Sequence, residues 1–226
     1  YDSFLTNQVS GTTLIIKDKV HTTITTEHIF PSRTDELGNK FLSSISSSQM
    51  NDHIGCSTIG FTSDKKIILW IQGSTTQFNK DMLIPTGSGS CNTSDLQGHN
   101  LQKTVIKSME RELVEESSPD KSLDNNQNKT LIVGFYRWVT RGGKPEFTGI
   151  TKLPGTSDEY KPDPKEARTE KSASLKFSLE SIDDLPKVLD QIRARNHVST
   201  PLYMCLYQLE EMYKTQKSQL KEFLFG

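Results

Sequence analysis

The part of this sequence best suited to chemistry is the run Arg111-Glu112-Leu113-Val114-Glu115-Glu116, which carries one cation and three carboxylates. On a helix, Glu112 and Glu116 stand one turn apart and Glu115 three residues from Glu112, so the carboxylates project close together. Like charges so placed repel, and near a helix C-terminus they also oppose the macrodipole. A hard divalent cation relieves both penalties, because Mg²⁺ takes carboxylate and water oxygens and bridges to phosphate oxygens. The plain alternative is a solvated acidic helix end with an Arg111–Glu115 pair, which is what charge runs usually are.

The elements around the run must decide between these readings. Leu101, Val105, Met109 and Leu113 recur every four residues, with Ile106 and Val114 widening the stripe, so the spacing predicts a helix from about Leu101 to Ser117 with one face in the core. Upstream, His53 to Phe61 and Lys66 to Gln72 are β-rich runs joined by a turn of hairpin length. Ile84-Pro85-Thr86-Gly87 then leads into Gly87-Ser88-Gly89-Ser90, which reads as loop. Downstream, Leu131 to Val139 and Pro145 to Leu153 form a second β-pair around Arg141-Gly142-Gly143-Lys144, and Ser122 to Asn128 and Gly155 to Glu170 read as loops. Ala173 to Leu179 alternates as a last strand, and Asp183 to Arg195 and Pro201 to Leu224 read as helices. Residues 1 to 50 are polar and weakly periodic, with short strands expected at Leu14 to Ile16 and Val20 to Ile24 and a short helix at Asp35 to Ile45. Strands and helices interleave, as in a layered α/β domain with a mixed sheet.

In this setting Arg111 to Glu116 resembles the Nudix box, whose consensus is Gly, five residues, Glu, seven residues, then Arg-Glu-aliphatic-any-Glu-Glu-any-Gly-aliphatic. The second half matches. In the first half Gln97 and Lys103 stand at the consensus Gly and Glu positions, and Ser118 replaces the later glycine. The preferred repair puts Gly87 at the entry to the box, with about ten extra loop residues, and Asp95 in place of the early carboxylate. The resemblance covers roughly residues 53 to 195. It implies a Nudix-like α/β/α sandwich with a mixed β-sheet, in a domain over 51–226 that includes the C-terminal helices, with 1–50 an N-terminal extension packed on it.

For chemistry, the resemblance implies a metal-dependent pyrophosphohydrolase that cleaves a diphosphate linkage in a nucleoside-diphosphate derivative. Glu112, Glu115 and Glu116 would hold Mg²⁺ or Mn²⁺, with the Gly87 carbonyl as a further ligand. A fourth catalytic carboxylate is expected from the loop before the last strand, Glu166 or Glu170 ahead of Glu159. Arg137, Arg141, Lys144 and Glu146, around the flexible Gly142-Gly143 turn, are candidates for substrate binding, with solvated turn charges the equal alternative. Phe135 and Arg137 alternate with Tyr136 and Trp138, so one pair faces the core and the other offers a wall for a base.

The rest of the composition narrows the field. The net charge of -1 supplies no field to draw long nucleic acid or an anionic membrane, and no apolar run reaches membrane-spanning length. Cys56, Cys91 and Cys205 are odd in number and widely spaced, suggesting neither a disulfide framework nor a zinc cluster, and they suit a reducing cytoplasm. The histidines show no ligand spacing, and Gly87-Ser-Gly-Ser-Cys lacks the spacing of a nucleophile elbow. The apolar face of the last helix covers the core or forms a homodimer contact. Rivals to the hydrolase are a catalytically weak or inactive nucleotide-sensing module of a larger protein and a purely structural interaction domain.

Overall fold

The computed structural model describes residues 13–15, 23–25, 32–42, 44, 53–73, 81–117, 129–141, 143–164, 174–195 and 197–226. The chain divides into two compact units, 1–54 with 136–146, and 55–135 with 147–226.

In the first unit, β1 (Thr13–Ile15) pairs antiparallel with β2 (Thr23–Thr25), and β3 (Ser32–Thr34) with β4 (Lys40–Leu42). The β3–β4 hairpin replaces the helix expected from Asp35. Asp35 Oδ1 accepts the amides of Leu37 at 2.9 Å and Asn39 at 2.8 Å, and Gly38 adopts φ 84°. A carboxylate that captures nearby amides, followed by a glycine in the left-handed region, favours a tight turn over a helix.

In the second unit, β5 (Gly55–Phe61), β6 (Lys66–Ile71), β7 (Leu83–Ile84), β8 (Gly87–Ser90) and β11 (Ser174–Ser178) join one sheet with β9 (Lys129–Trp138) and β10 (Lys144–Lys152), two strands whose residues are shared with the first unit. The strand path is β11-β6-β5-β10-β9, with β7 on β6 and β8 on β5. β6 pairs antiparallel with β5, β7 and β11. The bonds Thr58–Thr151 and Phe61–Leu153 climb both chains together, so β10 runs parallel to β5 and the sheet is mixed.

Helix α1 (Leu101–Ser117), α2 (Leu185–Arg193) and α3 (Thr200–Phe225) complete the unit. Alternation along β6 sends neighbouring side chains to opposite faces. Ile67 and Leu69 join the core built with Leu185, Leu189, Leu202, Leu206 and Leu209 of α2 and α3, while Ile68 and Trp70 pack with Leu113 and Val114 of α1. The sheet is therefore covered on both faces, which explains why β6 reads as an unbroken apolar run. Pro201 stands in the first turn of α3, whose missing amide costs nothing there.

Two contacts fix the end of α1. Trp70 Nε1 donates to Thr86 O at 3.1 Å and to Ser117 Oγ at 2.8 Å. The amides of Lys161 and Asp163 donate to Ser117 O at 3.1 Å and Glu116 O at 2.7 Å, satisfying carbonyls that a helix end leaves without partners.

Candidate functional site

The segment read as glycine loop is instead strand β8, hydrogen-bonded along one edge to β5 with Thr58 opposite Gly87 and Cys56 opposite Gly89. Its other edge meets α1. A Cβ on Gly87 would lie 2.4 Å from Leu113 Cα, and one on Gly89 only 2.2 Å from the Glu112 carboxylate, so both glycines are needed for this approach. The outward amides of β8 find their partners on the helix: Ser88 N donates to Glu116 Oε2 at 3.1 Å, and the Ser90 amide donates to Glu112. Four residues of helix rise about 6 Å and two residues of strand about 6.6 Å, so carboxylates at i and i+4 match amides at i and i+2.

Of the three predicted carboxylates, the structure brings Glu112 and Glu116 together on β8. Glu116 is buried, and Glu112 is largely so. Burial pushes the Glu112 carboxyl above the usual range, against the pull of Arg111 at 3.0 Å and of the Ser90 amide. Glu115 is different, with a side chain 53% exposed and bonded to Arg111 Nη1 at 3.0 Å.

Arg111 is the hub of the helix end. Its Nε and Nη2 donate to the two oxygens of Asp95 at 2.8 and 2.9 Å, and Nη2 also donates to Ser90 O at 3.0 Å. Asp95 is fully buried at the end of a 3₁₀ turn (Thr93–Asp95) capped by Asn92, whose amide donates to Asp95 Oδ2 at 2.9 Å. Burial opposes the charge on Asp95, but the bonds from Arg111 and Asn92 outweigh it and hold its carboxyl below the usual range. Arg111 is correspondingly raised, chiefly by its bond to Asp95.

These donors suit a hard divalent cation. Two oxygen carboxylates share one helix face, and the raised Glu112 is a charge whose burial is not fully compensated. Among the described residues, no three His, Cys, Asp or Glu side chains stand grouped to enclose an ion, since Glu115 is turned to Arg111. The Gly87 backbone lies in the same strand as the amides that seat the carboxylates.

The substrate-binding candidates sit in the first unit. Arg137 Nε donates to Gly143 O at 3.0 Å, Arg141 stacks 4.8 Å from the Trp138 ring centre, and Lys144 pairs with Glu146 at 3.0 Å, both buried. Burial raises the Glu146 carboxyl against the pull of Lys144 and Arg141. Tyr136 and Trp138 lie 6.5 Å apart, and in the second unit Phe135, partly exposed, packs 5.1 Å from Phe147. Glu166 and Glu170 lie outside the described residues. Glu159 is exposed and caps its own turn through Thr156, which lowers its carboxyl.

Three residues escaped the sequence reading. Asp163, from the loop expected to supply a fourth carboxylate, is joined through its amide to the Glu116 carbonyl. Glu110 is raised by burial, against a hydrogen bond from Thr130, on a helix face other than that of Glu112. Ser108 bonds the buried Cys56 at 3.2 Å. Only the Ser108 contact had a signal, its place one helical turn before Glu112 on the same face.

No family model matches the chain, and no curated protein matches it. Solved structures do. The MutT protein from Methanosarcina mazei Go1 is 12% identical over 74% of this chain and 100% of its own, with a TM-score of 0.48. A Nudix hydrolase from Alicyclobacillus acidocaldarius is 12% identical over 74% and 98%, at 0.46. A bifunctional NMN adenylyltransferase/ADP ribose pyrophosphatase from Francisella tularensis, complexed with AMP and a Mn ion, is 13% identical over 75% of this chain and 43% of its own, at 0.41.

Proposed function

We propose that this chain is a Nudix-type hydrolase that cleaves a diphosphate linkage in a nucleoside-diphosphate derivative with the help of Mg²⁺ or Mn²⁺. The observation that carries the reading is the seating of Glu112 and Glu116, one helical turn apart, on the outward amides of β8. A surface helix with solvated charges has no reason to bury two carboxylates against a glycine strand.

Glu112, Glu116 and Glu115 would hold the metal, with the Gly87 carbonyl beside them. When bound, such an ion neutralises diphosphate oxygens and acidifies a water. Arg111 and Asp95 fix the helix register through a buried two-bond ion pair, so the carboxylates are positioned before substrate arrives. Glu112 is a candidate to accept a proton from attacking water at its carboxylate. Asp163 joins Glu166 and Glu170 as a candidate for a further carboxylate, because its loop is tied to the end of α1. Arg137, Arg141, Lys144 and Glu146 remain candidates for holding phosphate and ribose.

The test is a panel of dinucleotides, nucleotide sugars and nucleoside triphosphates incubated with the chain and Mg²⁺, reading release of monophosphate or phosphate. Release from at least one class is expected, and Glu116→Gln should lower it by about 10²-fold or more with the far-UV spectrum unchanged. Tight binding of a nucleotide without product, or product formation indifferent to Glu116→Gln, would contradict the proposal.

A further inference from the structure

Cys56 and Cys91 are 35 positions apart in sequence, and the fold brings them together. β5 and β8 pair with Cys56 opposite Gly89 and Gly55 opposite Ser90, so Cys91 follows as the diagonal neighbour of Cys56. Each thiol acts on the ionisation of the other, and both are free. Ser108 Oγ of α1 lies 3.2 Å from Cys56 Sγ. Cys56 is buried at 1% exposure, whereas Cys91 is half-buried and followed by exposed Asn92, Thr93 and Ser94. Cys205 is on the other face of the sheet, within the α2–α3 core.

We propose that Cys56 and Cys91 form a redox-active dithiol that closes to an intrachain disulfide on reaction with a hydroperoxide. The accessible Cys91 is the attacking group and the buried Cys56 resolves it. Cys91 Sγ, as thiolate, attacks the outer peroxide oxygen; the O–O bond breaks, the other oxygen leaves and takes a proton, and Cys91 becomes a sulfenic acid. Cys56 Sγ then attacks Cys91 Sγ, the S–S bond forms as S–O breaks, and the departing hydroxide takes the Cys56 proton to leave as water. Two thiols lose two electrons and two protons, and the hydroperoxide is reduced to an alcohol and water.

The electrostatics agree with these roles. The neighbouring Cys56 thiol, aided by Ser108 and the charge of Arg111 and opposed by burial, lowers the Cys91 thiol to about 7, while the Cys56 thiol is raised. The inference concerns sulfur chemistry alone and does not depend on the proposed hydrolysis.

The full chain, treated with one equivalent of hydrogen peroxide, alkylated and mapped without reduction, tests it. A peptide joining Cys56 to Cys91, two hydrogens lighter and released by dithiothreitol, is expected, with Cys205 recovered reduced. Cys56→Ser should leave Cys91 as a sulfenic acid trapped by dimedone, and Cys91→Ser should slow oxidation of Cys56 about tenfold or more. Over-oxidation of Cys91 with Cys56 still free, a disulfide between two copies of the chain, or a link to Cys205 would overturn the proposal.

Discussion

At the scale of single residues, the candidate site is organised by one cation. Arg111 spends its donors on Asp95, Ser90, Glu112 and Glu115. Removing one partner from a buried pair leaves the other charge stranded, so Arg111→Ala is expected to lower unfolding free energy by about 3–5 kcal/mol in a denaturant titration. The pH dependence has a definite sign. The folded carboxyl of Asp95 is below its ordinary 3.8, so the stability it contributes is complete above that value and drains away as pH falls toward the native pKa. The difference in melting temperature between the wild type and Asp95→Asn should therefore shrink below pH 3.8. Glu112 behaves oppositely, because its folded pKa is raised and its ionisation above 4.5 weakens the fold. Glu112→Gln should accordingly raise the melting temperature of the metal-free chain at pH 7 while removing any stabilisation by Mn²⁺. A melting temperature lowered by Glu112→Gln would mean that this carboxylate serves the fold.

At the scale of elements, the site is one helix against one short strand. Gly87 admits the backbone of Leu113 and Gly89 admits the carboxylate of Glu112. Backbone cannot yield as a side chain can, so Gly87→Ala is expected to cost more stability than Gly89→Ala, by about 1–3 kcal/mol. Gly89→Ala should instead displace Glu112 and depress metal-dependent turnover while the chain stays folded. Helix α1 was legible because Leu101, Val105, Met109 and Leu113 mark its buried face. Strand β8 was not, because Gly-Ser-Gly-Ser has the composition of a loop, and its strand character comes from β5 on one edge and the α1 carboxylates on the other. The Asp35 hairpin was lost for the converse reason, since a polar segment gave no period and the turn is set by one carboxylate. The proximity of Cys56 and Cys91 depends on strand register, which spacing along the chain does not encode.

At the scale of the whole molecule, the sheet of the second unit is sealed by α1 on one face and by α2 and α3 on the other, and the alternation of Ile67, Ile68, Leu69 and Trp70 records both layers. The α/β class and the order of the helices were readable because apolar periodicity reports burial directly. In the candidate site, Asp95 was singled out in place of the early carboxylate, but its pairing with Arg111 was not readable, because the long insertion between them hides it. Leu206 and Leu209 are fully buried on α3, so Leu209→Ala should cost about 2–5 kcal/mol without altering Mn²⁺ binding. A cavity of about 410 Å³ lined by Lys65, Lys152, Lys221 and Phe225 belongs to the second unit, but none of the three glutamates lines it. The central claim is that Glu112, Glu115 and Glu116 share a cation, and a Mn²⁺ titration followed by electron paramagnetic resonance reads it directly. Saturable binding by the wild type that is lost in the Glu112→Gln/Glu116→Gln double variant is the predicted result; no binding, or binding that survives both substitutions, would contradict the account.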